Sequence, residues 1–275
     1  MTDRYAVVGN PVAHSLSPTI HTLFAAQTGQ DMTYTALAAP LDGFAATVQQ
    51  FAAAGGRGLN VTLPFKQQAA ALATRLSERA SAAGAANTLV FSSDGIYADN
   101  TDGAGLLQDL EFNLGCRVAE RRVLLLGAGG AARGVILPLG GARPRQLTIA
   151  NRNSDKAARL AAEFSSPQLA ILGCGFAQLA GCSFDLIINA TSAGLGDSAL
   201  DLPAGLFAPG AVAYDMVYGR ETPFMRQARA DGAGTVADGL GMLVEQAAVS
   251  FLLWRGVRPD TAAVLRQLRQ DLAER

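Results

Sequence analysis

A short apolar run, Leu124-Leu125-Leu126, passes without a break into Gly127-Ala128-Gly129-Gly130-Ala131-Ala132 and then into helix-forming sequence. A strand that enters a helix through Gly-x-Gly-x-x-Ala has few structural solutions. The first glycine makes the tight turn, the second lets backbone approach a pyrophosphate, and the third small residue lets helix pack on strand. The helix N-terminus adds unpaired N–H groups and a positive dipole end, which suit a phosphate. A second apolar segment, Gln146 to Ala150, closes a βαβ unit around the turn. The alternative is a turn that only packs helix on strand tightly.

The residues after that second strand bear on the kind of dinucleotide. A site for NAD usually places Asp or Glu there to accept the ribose 2′-hydroxyl. Here the chain reads Asn151-Arg152-Asn153-Ser154-Asp155-Lys156. A carboxylate would repel a 2′-phosphate, whereas an arginine binds one bidentately and stacks on adenine. Asn151, Arg152 and Lys156 therefore point to NADP(H), against the reading of a solvated basic loop.

Candidate strands at 123–126, 147–150, 169–172, 185–190, 211–216 and 234–236, whose apolar residues run together rather than alternate, predict a parallel sheet buried on both faces. Six such strands with the glycine turn after the first predict the order 3-2-1-4-5-6. The N-terminal part reads as a smaller α/β unit. Strands are expected at 5–8, 32–36 and 58–63, with a hairpin over 86–99. Ser17-Pro18 is expected to open a helix, with Ser17 as N-cap and Pro18 at its first position. Helices are also expected over 43–54 and from Pro64 to about Leu72, then over about 240–255 and 260–274. The predicted fold is α/β with two domains: 1–101 plus 238–275, and a doubly wound Rossmann-type unit over 102–237.

With 275 residues, 49% of them hydrophobic, and a net charge of −1, the chain is globular and lacks the basic excess of a nucleic-acid binder. Cys116, Cys174 and Cys182 show no paired or metal-like spacing, which predicts free thiols in a reducing compartment. The first residues lack a signal pattern, and no apolar run approaches a membrane span. A cytoplasmic protein with no membrane or nucleic-acid partner is expected. His14 and His21 fit no common metal pair, so no metal is expected.

Polar clusters fall at strand ends and turns: 14–18, 60–66, 86–88 and 99–103. Each has a plain structural reading. Ser15 and Ser17 could cap a helix, and Asn87 and Asn100 could satisfy turns. Lys66, read as lying one turn into its helix, opposes the dipole, and that unfavourable placement suggests function.

Taken together, Gly9-Asn-Pro-Val-Ala-His-Ser-Leu-Ser-Pro18, Asn60-Val-Thr-Leu-Pro-Phe-Lys66, Ala86-Asn-Thr88, Asn100-Thr-Asp-Gly103, Gly127-Ala-Gly-Gly130, Asn151-Arg152, Asn189-Ala-Thr-Ser192, Tyr214-Asp-Met216 and Ala237-Asp-Gly-Leu-Gly-Met-Leu-Val-Glu-Gln246 resemble the shikimate dehydrogenase family over essentially the whole chain. The resemblance implies reversible NADPH-dependent reduction of 3-dehydroshikimate to shikimate, in aromatic amino-acid biosynthesis, in a cleft between the domains. The alternative is a quinate or dual quinate/shikimate dehydrogenase of the same fold. It implies Lys66 and Asp102 as the catalytic pair and Ser15, Ser17 and Tyr218 near the substrate carboxylate. Thr62, Asn87 and Gln246 would join Asp102 at the ring oxygens. For the cofactor it implies Gly127, Ala128, Gly129, Gly130, Ala131, Asn151, Arg152, Lys156, Thr191, Met216 and Gly239. A monomer or homodimer is expected. In that family the second place of the NADP clamp is often Arg, and here it is Lys156.

Overall fold

The computed structural model describes residues 2–167, 169–191 and 198–274. It divides into two compact units, one formed by 1–105 with 243–275 and the other by 106–242. The boundaries fall inside two helices.

The first unit contains β1 (Asp3–Gly9), α1 (Ser17–Thr28), β2 (Met32–Ala38), α2 (Phe44–Ala53), β3 (Gly56–Val61), α3 (Lys66–Leu72), β4 (Arg75–Leu76), α4 (Glu78–Ala83), β5 (Thr88–Ser92), β6 (Gly95–Asp99) and the start of α5 (Asp102–Gln108). Its sheet has the order β2-β1-β3-β5-β6-β4. Strand β1 is parallel to β2 and β3, while β5 runs antiparallel to β3 and β6. Because side chains alternate across a strand, Ala6 and Val8 enter a core with Phe44, Leu59 and Phe65, while Tyr5 and Val7 pack on the other face with Tyr34 and Trp254. Burial on both faces explains why β1 reads as continuously apolar.

The second unit begins with a π-turn (Asp109–Asn113) and continues through β7 (Arg122–Leu126), α6 (Gly130–Gly141), β8 (Gln146–Asn151), α7 (Ser154–Phe164), β9 (Ile171–Gly175), a 3-10 turn (Phe176–Leu179), β10 (Phe184–Asn189), β11 (Phe207–Asp215), α8 (Pro223–Ala230) and β12 (Thr235–Ala237). The chain then enters α9 (Leu240–Arg255), which leads back into the first unit, and α10 (Thr261–Ala273). The sheet order β12-β11-β10-β7-β8-β9 is the expected 3-2-1-4-5-6, and the pairings are parallel. Val123 and Leu125 pack on one face and Leu124 and Leu126 on the other.

Several local expectations are corrected. Leu16, not Ser17, is the N-cap of α1, it makes no side-chain capping bond, and Pro18 sits second in the helix. The helix expected from Pro64 starts at Lys66, with Phe65 as cap, so Lys66 is its first residue rather than one turn in. Strand β9 begins at Ile171 rather than 169, since Leu169 makes an isolated bridge to Ser166. The short β4 and α4 are not expected from sequence, because six residues of helix carry too little periodicity to read.

These two elements support the segment leading to Asp102. Asp99, at the end of β6, accepts Arg79 Nε at 2.7 Å and Arg79 Nη2 at 2.6 Å, and also the Ser77 hydroxyl at 2.6 Å and the Asn100 N–H at 2.7 Å. Burial pushes the Asp99 carboxyl up, but the Arg79 and Ser77 hydrogen bonds more than reverse this and hold it below its ordinary value. A lowered folded-state value contributes stability above the unfolded value that is lost as pH falls through the folded one. Arg79→Met should therefore destabilise by about 3–5 kcal/mol near pH 7, because it strands a buried charge. The deficit should shrink toward pH 3. Denaturant midpoints of both proteins across that range check this, and a pH-independent deficit contradicts it.

Candidate active site

In the first unit, the ends of β3, β5 and β6 and one face of α9 bring a dense set of polar side chains together. Lys66, the first residue of α3, places Nζ 2.5 Å from Asp102 Oδ2. The lysine side chain is 29% exposed and the aspartate side chain 11%. Asp102 opens α5, where a carboxylate is favoured by the helix dipole; Lys66 at the same position of α3 is disfavoured by it. Each thus faces a partner that suits its charge.

Asn87 fixes the other carboxylate oxygen. Its Nδ2 reaches Asp102 Oδ1 at 2.8 Å, Thr101 Oγ1 at 2.9 Å and Gln246 Oε1 at 3.1 Å. Its Oδ1 accepts the Thr101 N–H at 2.9 Å and the Thr88 hydroxyl at 3.0 Å, which fixes the direction of the amide. Gln246 Nε2 is committed to the Leu243 carbonyl at 2.8 Å. Beneath this layer, Asn60 Nδ2 contacts the Asn87 carbonyl at 3.1 Å and Ser250 Oγ at 3.0 Å, and Asn60 Oδ1 accepts the Tyr34 hydroxyl at 2.7 Å. Burial raises the Tyr34 phenol well above its ordinary value, with the Ser17 side chain pulling the other way. Ser15 Oγ accepts the Ser17 N–H at 3.2 Å, and Ser17 is buried. Thr62 follows β3, half-buried, with its N–H on the Val8 carbonyl at 2.9 Å.

Sequence reasoning put Lys66, Asp102, Asn87 and Gln246 in one site, and direct hydrogen bonds join them. It did not give Thr101, Tyr34 or Ser250 a place. Ser250 is the hardest to see: one hydroxyl in the apolar run Ala247-Ala-Val-Ser-Phe, four residues after Gln246 and therefore on the same helix face. Tyr218 belongs to the second unit, where burial raises its phenol.

The second unit holds the glycine turn. Gly127 adopts φ +110°, and a Cβ there would meet the Ala190 carbonyl oxygen at 3.1 Å, so only glycine fits. Its N–H donates to the Ala150 carbonyl at 2.8 Å. Gly129, the N-cap of α6, and Gly130 have open space where a Cβ would stand, as a closely approaching phosphate requires. Ala128, Gly129, Asn151, Arg152 and Lys156 line one recess of about 260 Å³, and Ala131 is exposed beside it on α6. Arg152 and Lys156 are solvent-exposed. A larger cavity of about 1050 Å³ is lined by Asn151, Arg152, Thr191, Phe176 and Leu200. Met216 and Gly239 meet at the ends of β11 and β12: Met216 N–H donates to the Asn189 carbonyl, and Gly239 N–H to the Val217 carbonyl, each at 3.0 Å. A Cβ on Gly239 would collide with Met216 backbone. Ser192, from the expected Asn189–Ser192 motif, lies outside the described residues. Open glycine backbone at a helix N-terminus, with two cations in the adjoining recess, fits a dinucleotide bearing a further phosphate. Among the described residues no cluster of His, Cys, Asp or Glu could hold a metal ion, and no helix is long and apolar enough to cross a membrane.

Three family models match in order along the chain: the shikimate dehydrogenase substrate binding domain over residues 7–89, shikimate/quinate 5-dehydrogenase over 110–195, and the shikimate 5′-dehydrogenase C-terminal domain over 239–269. The NADP(+) shikimate dehydrogenase of Aromatoleum aromaticum is 63% identical over 273 residues, 98% of each chain. Among solved structures, an Ael1 enzyme from Pseudomonas putida is 51% identical with a TM-score of 0.91, over 97% of this chain and 98% of that one. The shikimate 5-dehydrogenase of Thermus thermophilus, in complex with NADP(H) and shikimate, is 36% identical with a TM-score of 0.85, over 98% and 99% of the two chains. Matched along its length in sequence and in fold, the chain belongs to the shikimate dehydrogenase family.

Proposed function

We propose that this protein catalyses the reversible NADPH-dependent reduction of 3-dehydroshikimate to shikimate; its relatives are named shikimate dehydrogenase (NADP(+)). The observation that carries the reading is the Lys66–Asp102 pair, 2.5 Å apart and locked by Asn87. Reduction of a ring ketone builds negative charge on the carbonyl oxygen. The Lys66 ammonium stabilises that charge and delivers the proton from Nζ to the oxygen. Asp102 orients the ammonium by holding Nζ at Oδ2. Asn87, with its amide direction fixed, and Gln246 and Thr62 hold the ring hydroxyls. Ser15 and Ser17 bind the carboxylate as neutral donors beside the N-terminus of α1, with Tyr218 as a further donor. In the oxidation direction Nζ takes up the alcohol proton and passes it on, and because the reaction releases a proton to solvent that direction gains as pH rises.

The segment Gly127-Ala128-Gly129-Gly130-Ala131 would hold the pyrophosphate, Asn151, Arg152 and Lys156 the adenosine 2′-phosphate end, and Thr191, Met216 and Gly239 the nicotinamide end. When bound, the nicotinamide supplies the hydride. The first unit is the substrate domain on this reading and the second the NADP domain. The biosynthetic role and three free thiols support a cytoplasmic location. Turnover of shikimate against quinate, each with NADP and NAD, tests the assignment, and preference for quinate would replace it.

Lys66→Ala should lower kcat by about 10²–10⁴-fold while the KM for shikimate stays within a few-fold, because the charge is used in the transition state. Steady-state kinetics decide, and a variant retaining a tenth of wild-type turnover removes the catalytic role.

Ser17→Ala should raise the KM for shikimate by about ten- to a hundredfold, from a lost donor to a charged group, with the KM for NADP unchanged. Ser17 is not the N-cap of α1, so no capping bond is lost and thermal unfolding should move by no more than the loss of its side-chain contact with Tyr34. A shifted melting point with intact kinetics would assign Ser17 to structure.

Arg152→Ala should reduce the NADP/NAD ratio of kcat/KM by about ten- to a hundredfold. Raised salt should weaken NADP more than NAD in the wild type. A ratio that barely moves makes Arg152 a solvated loop residue.

A further inference from the structure

Asp215 is fully buried at the C-terminal end of β11, and the chemistry above does not use it. Its two oxygens collect three donors. The Val217 N–H reaches Oδ1 at 3.0 Å, and the Asn189 amide nitrogen and the Thr222 hydroxyl reach Oδ2 at 3.0 and 2.6 Å. A carboxylate only accepts, so it fixes the Asn189 amide with nitrogen inward and oxygen outward. That outward oxygen accepts the Thr191 N–H at 3.1 Å and the Thr191 hydroxyl at 2.7 Å. With its proton committed, Thr191 Oγ1 has only lone pairs left to offer. The carboxylate also grips the chain after β11, where Met216 and Val217 are bonded to Asn189 and Gly239.

Arg152 follows β8 and Thr191 follows β10, on opposite sides of β7 and its glycine turn. A dinucleotide with its pyrophosphate at that turn has its 2′-phosphate end toward β8 and its nicotinamide end toward β10. We infer that Asp215 is a positioning residue for the nicotinamide half of the cofactor: through Asn189 it holds Thr191 as an acceptor for a donor on that half, a carboxamide N–H or a ribose hydroxyl. The inference rests on the cofactor placement proposed above. Asp215→Asn removes the acceptor-only character. Asn189 is then free to turn over, and the Thr191 proton loses its fixed acceptor.

The test is calorimetric titration of the full chain with NADP and with 2′,5′-ADP, which carries the phosphate end and lacks the nicotinamide half. Asp215→Asn should weaken NADP by about ten- to a hundredfold. It should leave 2′,5′-ADP within about twofold of wild type, as expected for distant sites. Unchanged NADP binding overturns the inference, and so does equal weakening of both ligands, which would mean general damage to the unit. Should Asp215→Asn fail to fold, Thr222→Val and Thr222→Ser decide. The first removes the donor to Asp215, together with the N-cap bond that Thr222 accepts from the Met225 N–H, at constant shape, and should leave 2′,5′-ADP as in wild type while weakening NADP. The second keeps the hydroxyl and should restore it, and wild-type NADP binding in both variants overturns the inference. Arg152→Ala titrated with 2′,5′-ADP reads the underlying placement separately. Unchanged binding there removes the placement and the inference together, whereas lost binding there with intact NADP binding in Asp215→Asn removes the inference alone.

Discussion

The contact between Lys66 and Asp102 is the constraint around which the first unit is arranged. A lysine at the first residue of a helix works against the dipole by about 0.3–1 kcal/mol, and an aspartate at the same place of another helix gains by a similar amount. Set 2.5 Å apart, the two relieve this mismatch through one shared hydrogen bond. The aspartate is mostly buried, so its remaining oxygen also needs a donor, and Asn87 supplies it. The orientation of Asn87 depends in turn on Thr88 and Thr101, and those hydroxyls meet Ser250 on α9.

Such a network is costly if any member is left alone, since an unsatisfied buried polar atom costs about 1–3 kcal/mol. Here Asn60, Asn87, Thr88, Thr101 and Ser250 all have partners. The aromatic layer behind them behaves differently. His21 is fully buried, stacks on Tyr34 at 4.2 Å between ring centroids, and among the described residues neither ring nitrogen has a partner within hydrogen-bond geometry. Burial lowers its value to about 3, so it stays neutral and serves the core as an aromatic ring across the whole physiological range.

The doubly wound sheet was legible because each strand carries a continuous apolar run and each connection a turn signal, and Gly127 announced its own backbone conformation. Lys66 drew attention by its unfavourable position, although the helix starts later than Pro64 suggests. The capping role expected of Ser17 failed for a definite reason: the chain enters α1 one residue early, so Leu16 takes the cap and the Ser17 side chain faces Tyr34 instead. Ser250 and Tyr34 were silent because their partners lie far away in sequence, and a lone hydroxyl in an apolar helix has no local signature. Asp215 stood within a recognisable motif, but its work depends on Asn189 and Thr222, which only the parallel pairing of β10 and β11 and the start of α8 bring within reach.

The first unit is assembled from two separated stretches of the chain, 1–105 and 243–275, with the whole second unit lying between them in sequence. Gln246 and Ser250, which close the network on Asn87 and Thr101, are therefore synthesised only after the whole second unit. Until then the early strands and helices hold Asn60, Asn87 and Thr88 with part of their hydrogen bonding unmet, and Gly58 and the Leu89 carbonyl lack the indole of Trp254. The network on Asn87 and Thr101 is thus closed across a chain separation that contains the whole second unit, so its completion waits on residues made after that unit.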